Sequence, residues 1–161
     1  GRKAAEGDLA IIRAGLRKML SQREKRIRKL SRFVSTYGIQ LDGSYEEAVK
    51  LCNFFIENIE FGPKNEWMSS NWLEFCIDTG VFIGEVIRTR VPNTEWGIVE
   101  ETWDSHPDYH EIGILKNTGQ YIPIYKSIIV FGNSVLLGHV VDDDLRSTFF
   151  ARMMFSSFSA D

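Results

Sequence analysis

The sequence predicts an α+β fold: a helix-rich single domain with a three-stranded antiparallel meander packed on a buried central helix. Three observations lead there. Up to Pro92 there are three long segments whose apolar residues recur at steps of three and four, the helical period. The third segment is apolar or small around most of its circumference, the pattern of an enclosed helix. After Pro92 the period shortens toward two and turn residues come at close intervals, as in short antiparallel strands. A length of 161 residues suits one domain. Within it, residues 1–40 are a long basic amphipathic helix with its exit, and residues 41–161 form an acidic body.

The first helix is expected over about Asp8–Tyr37. Leu9, Ile12, Leu16, Met19, Leu20, Ile27, Leu30, Val34 and Tyr37 mark its apolar stripe, interrupted by Arg23. Gly7 and Gly15 weaken its first turns, and Gly38 suits the left-handed conformation of a helix C-terminus. A capping box of Ser44 and Glu47 opens the second helix, whose buried stripe is Ala48, Leu51, Cys52, Phe55, Ile56 and Ile59. Gly62-Pro63 stops it.

The third helix, about Asn71–Arg90, is capped by Ser70 or Asn71. Its polar residues Glu74, Asp78, Glu85 and Arg88 fall on one narrow strip at about 100° per residue. Gly80 and Gly84 lie one turn apart, where another element can approach closely. Strands are expected over Glu95–Trp103, His110–Lys116 and Gln120–Ile124, joined by Asp104–Asp108 and by Asn117-Thr118-Gly119. Residues 125–131 fit a short helix better than a further strand. Asp142-Asp143-Asp144 then caps a last helix over Leu145–Phe155, since carboxylates favour a helix N-terminus. If Phe149 and Met153 face the core, then Phe150, Met154 and Phe158 point elsewhere, about 100° round that helix, and read as core from a second side rather than as an exposed interface patch.

Charge is distributed unevenly. Residues 1–34 hold eleven Lys or Arg against Glu6, Asp8 and Glu24, an excess of eight positive charges. With an overall charge of −3, the remaining residues carry eleven more negative charges than positive ones. No apolar run approaches the roughly 20 residues that cross a bilayer. Nothing after Gly1-Arg2-Lys3 reads as the apolar core of a signal peptide. Cys52 and Cys76 fall on apolar stripes and read as buried thiols of a reducing compartment. A cytoplasmic protein is therefore expected.

No catalytic set and no cofactor is expected. His106 and His110 form an H-x-x-x-H with Asp104 and Asp108 interleaved, but Pro107 breaks the helix that would aim both rings at one metal. No metal site is assigned there. Asp78 and Glu85 could form an acid–base pair, yet their strip also suits ion pairing with Arg88 or with the basic first helix. Gly80-x-x-x-Gly84 lacks the Lys-Ser/Thr of a phosphate loop, and there is no G-x-S-x-G or C-x-x-C.

The run Gly80-Val-Phe-Ile-Gly84-Glu85-Val-Ile, followed by Trp96 and by Ile122-Pro123 after a glycine turn, resembles a group of small bacterial proteins. Some of that group are similar to the immunity proteins that neutralise toxins in inter-bacterial competition. The resemblance spans about residues 70–137 and leaves the basic helix outside. It implies a helix-and-meander fold and a role in protein binding, with no catalytic residue.

The leading functional expectation is thus a non-enzymatic module of inhibitor or immunity type. Its acidic surface, including Asp78, Glu85, Glu100, Glu101 and Asp104, would engage a basic target protein. Charge complementarity of that kind raises association rates. The alternative is a nucleic-acid-associated regulator that uses the basic face of the first helix, with Arg17, Lys18, Arg28 and Lys29 on phosphates.

Overall fold

The computed structural model describes residues 2–64, 67–100 and 111–158. In chain order these form α1 (Arg2–Ser35), α2 (Tyr45–Asn58), α3 (Ser70–Arg90), β1 (Thr94–Ile98), β2 (Ile112–Lys116) and β3 (Tyr121–Ile122). Three further helices follow: α4 (Ile124–Leu136), α5 (Asp143–Ser147) and α6 (Phe149–Ser156). The α+β class holds, with one antiparallel sheet in the order β1-β2-β3.

α1 starts six residues earlier than expected. At about 1.5 Å per residue it is roughly 50 Å long. A side chain at Gly7 or Gly15 would meet nothing, so both glycines occupy open helical surface and neither breaks the helix. Met19, Leu30 and Val34 are buried, and Leu16, Leu20 and Ile27 pack beside them. At the far end Gly38 takes φ 77°. The amide of Ile39 donates to the Val34 carbonyl and that of Gly38 to Ser35, while Ile39 buries itself near Val34. This is a Schellman closure with its apolar contact. Tyr37, expected on the buried stripe, lies beyond the last helical turn and is exposed.

Half of the expected capping box forms at α2. Ser44 Oγ accepts from the amide of Glu47, but the amide of Ser44 donates to Asp42 Oδ1 instead of to Glu47. Glu47 turns to the amide of Gln40 and to Lys50. α3 is the centre of the molecule, touching α1, α4, α6 and the sheet. Its N-cap is Ser69 and its last turn stops before Pro92. The sheet lays one face on it. Trp96 pairs with Ile114 and Ile114 with Ile122, and all three are buried in that row.

β1 ends at Ile98, short of the expected strand to Trp103, although the amide of Val99 still donates to Glu111. β3 ends at Ile122 because Pro123, which has no amide hydrogen to give a sheet, becomes the N-cap of α4. The helix favoured for residues 125–131 is present and runs on to Leu136.

The last helix departs from expectation. It is two helices, α5 and α6, broken at Thr148 (φ −99°, ψ 5°). Thr148 Oγ1 donates to the Asp144 carbonyl, and Arg152 reaches back to the Leu145 carbonyl. The Arg152 side chain thus satisfies a backbone carbonyl at the break, while the Asp144 carbonyl keeps its bond from the Thr148 amide beside that from the hydroxyl. The break changes which face turns inward. Phe150 and Met154 are buried with Met153, while Phe149 sits half-buried against Phe131 at a ring separation of 4.1 Å. Phe150 and Met154 are thus core from a second side, as expected, and not an exposed patch.

A candidate docking surface along the first helix

The seam between α1 and α3 gathers most of the charged residues singled out in the sequence. Glu74, Asp78 and Glu85 lie at steps of four and seven on α3, so they face one neighbour, and that neighbour is α1. Asp78 is only 2% exposed. Arg26 Nη1 lies 2.8 Å from its Oδ1 and Lys29 Nζ 3.0 Å from its Oδ2. Glu74, further out, is 3.6 Å from both cations. Burying a carboxylate is costly unless it is paired, and two cations from the next helix supply the pairing.

Glu85 is the second anchor. Arg88 Nε donates to it at 2.7 Å, Trp96 Nε1 at 3.0 Å, and Arg23 lies 3.4 Å away. Burial pushes its carboxyl up. The hydrogen bonds from Arg88 and Trp96 and the charges of Arg23 and Arg88 outweigh that and hold it below the ordinary carboxylate value. Arg23, which breaks the apolar stripe of α1, is therefore placed for Glu85.

The Gly80/Gly84/Glu85 motif has a packing explanation. Tyr125 lies on Gly80, where an added Cβ would come within 2.7 Å of its ring. The Trp96 indole lies on Gly84, and the two rings stack at 6.2 Å. Glu85 then holds the indole N–H. Two glycines and one carboxylate thus seat two aromatic rings from β1 and α4 on the central helix. Tyr125 was not singled out in the sequence, where nothing local distinguishes it from the other tyrosines. Its hydroxyl is buried, and that burial pushes its pKa well up.

Asp78 and Glu85 are thereby spent inside the molecule. Asp78 presents no surface to a partner, which corrects its expected place in an acidic contact face. Glu100 is exposed and lies 3.4 Å from Arg13 of α1. Glu101 and Asp104, and the histidines His106 and His110, lie outside the described residues. Among the described residues no three His, Cys, Asp or Glu side chains come together as a metal site. Both cysteines are buried and unbridged, with thiol pKa values pushed up by burial to about 11 for Cys52 and about 12 for Cys76.

The outer side of α1, from the edge of the seam at Lys29 round to Arg17, is a different surface. Lys18, Lys25, Lys29 and Arg32 fall within one narrow sector at 100° per residue, with Arg17 and Arg28 beside them. Lys25, Arg26, Arg28, Lys29 and Arg32, with Gln22 and the α3 residue Glu74, line a groove of about 510 Å³. Arg28 approaches Glu24 at 3.9 Å. Among the described residues, Arg17, Lys18, Lys25 and Arg32 have no carboxylate within ion-pair distance. One turn beyond Lys29 along α1 stand two aromatic rings. Phe33 is 45% exposed and Tyr37 59% exposed, 5.6 Å apart in an edge-on pair and backed by Phe54 and Phe75. Sequence reading placed the basic residues but missed this ledge, because Phe33 lies off the apolar stripe and Tyr37 lies on it.

No helix among the described residues is long and apolar enough to cross a membrane. The chain matches no known protein family, and neither a curated protein nor a solved structure is significantly similar to it.

Proposed function

We propose that the protein is a non-enzymatic binding module that engages a negatively charged macromolecule through the outer face of α1. The observation that carries this is a division of labour among the cations of one helix. Arg23 and Arg26, with Lys29, turn toward α3 and neutralise Glu85 and Asp78. Among the described residues, Arg17, Lys18, Lys25 and Arg32 have no such use. They cover about 20 Å of helix. Unpaired cations in register on a rigid scaffold favour an anionic partner, because their mutual repulsion is relieved only by external negative charge. The carboxylates that a hydrolytic role would need, Asp78 and Glu85, are each engaged by two basic side chains of the molecule itself, which supports the non-enzymatic reading.

The test is retention on immobilised heparin as salt is raised. The parent should be retained, and replacing Lys18, Lys25, Arg28 and Arg32 with Gln should abolish retention while leaving the thermal melt unchanged. A parent that flows through at low salt sinks the proposal.

A second reading keeps the acidic body as the contact face, as in an inhibitor or immunity protein with a basic target. The exposed Glu46, Glu57, Glu60 and Glu95 favour it. It predicts capture of a basic protein that is abolished when those four become Gln and is untouched by the α1 variant.

A further inference from the structure

We infer that the groove between α1 and α3 is a binding site for single-stranded nucleic acid, with phosphates on its cations and a base stacked on the Phe33–Tyr37 ledge. This rests on the docking surface proposed above and names its ligand. Two independent features meet there. The groove is lined by five cations; Arg26 and Lys29 are paired with Asp78 and Glu74 and Arg28 approaches Glu24, so Lys25 and Arg32 are left without a carboxylate among the described residues. Next to the groove along the chain, where Arg32 adjoins Phe33, two aromatic side chains stand exposed although the core beside them is closed by Phe54 and Phe75. Cations alone would suit any polyanion. Exposed rings at the end of a cationic track suit a chain that alternates charge with flat aromatic groups, because bases stack on such rings whatever their identity.

Competing ligands fit less well. An anionic membrane would ask for an apolar face beside the cations, but the apolar stripe of α1 is turned inward: Met19, Leu30 and Val34 are buried. An acidic peptide would satisfy the lysines and leave the rings unused. A duplex keeps its bases stacked on one another, so the ledge could not reach them. The acidic remainder of the molecule limits binding to this one face and opposes wrapping.

Fluorescence anisotropy with a labelled oligothymidylate, a duplex of equal length, poly-glutamate and phosphatidylserine vesicles separates these cases. Two variants are compared with the parent. One replaces Lys18, Lys25, Arg28 and Arg32 with Gln; the other carries Phe33→Leu and Tyr37→Leu, keeping apolar bulk while removing the aromatic faces. The expected result is tighter binding of the oligothymidylate than of the duplex, with affinity reduced about tenfold in the aromatic variant. The slope of log affinity against log salt should flatten by about 0.7 for each phosphate that the charge variant no longer neutralises, and stay unchanged in the aromatic one. If the aromatic double variant melts early, Tyr37→Leu alone carries the same comparison, since that ring is the more exposed. Equal or tighter binding of duplex, poly-glutamate or vesicles, or an aromatic variant with parental affinity, overturns the nucleic-acid assignment and leaves the docking surface standing. Failure to bind any of the four probes, or binding that survives the charge variant, removes both.

Discussion

Glu85 joins three partners through two oxygens: an arginine on its own helix, another on α1, and an indole from the sheet. Its folded pKa is depressed, so its contribution to stability is present above the unfolded carboxylate pKa and disappears as pH falls through the folded one. Glu85→Gln should therefore cost about 1 kcal/mol near neutrality, a figure kept small because the site is partly solvated. Urea melts of parent and variant should converge on acidification into the carboxylate range. A gap that stays constant with pH would show that the carboxylate charge contributes nothing. The glycines next to it respond to volume. At Gly84 the Trp96 indole fills the space of a Cβ, so Gly84→Ala should destabilise by about 1–3 kcal/mol. Gly15, with nothing near it, is the control: Gly15→Ala should leave stability equal or raise it by up to about 1 kcal/mol. Equal melts for the two alanine variants would mean that Trp96 does not press on α3. The sequence marked both glycines of the motif, but not that one ring explains Gly84 and another explains Gly80, because the rings come from segments 12 and 45 residues away in the chain.

At the scale of elements, α1 is held by an apolar stripe and by a buried ion pair, and the two cations of that pair are not equivalent. Arg26 is mostly covered and binds Asp78 at 2.8 Å, whereas Lys29 is more than half exposed. Arg26→Ala should cost about 3 kcal/mol, since the buried Asp78 would be left with a solvated lysine as its partner. Lys29→Gln should cost less than about 1 kcal/mol. Denaturant midpoints for the two variants check the order, and the reverse order would mean that Asp78 draws its charge balance from Lys29. The stripe of α1, the enclosure of α3, the meander and the helix after Pro123 were all legible, because periodicity and turn chemistry are local. The α5–α6 break was not. Thr148 is an ordinary helical residue until Arg152 takes the Leu145 carbonyl at the break, and the gain from burying Phe150 depends on rings contributed by α2 and α4.

For the whole molecule, the body closes around α3 and α1 lies across it, so stability and the docking face are separable along α1. Leu9 and Ile12 are outside the core that begins with Leu16, and Ile11 is 72% exposed. Removing residues 1–12 should shift unfolding free energy by no more than about 0.5 kcal/mol, as for surface changes in general. Calorimetry of the shortened chain checks this, and a drop of several degrees would place the first turns of α1 in the folded core. The sequence by itself determined the class of fold, the order and type of nearly all elements, the enclosure of α3 and the separation of a basic helix from an acidic body. Each of these follows from local period, turn residues or composition. Tertiary structure alone decided which charges remain for a partner. Pairing of Asp78 and Glu85 with Arg88 or with the basic first helix was expected from the sequence, but not which cations of α1 would serve: its docking on α3 turns Arg23, Arg26 and Lys29 inward while leaving Lys18, Lys25 and Arg32 outside. Pairing between charges 52 residues apart depends on where two helices come to rest, and a one-dimensional pattern holds no record of that distance.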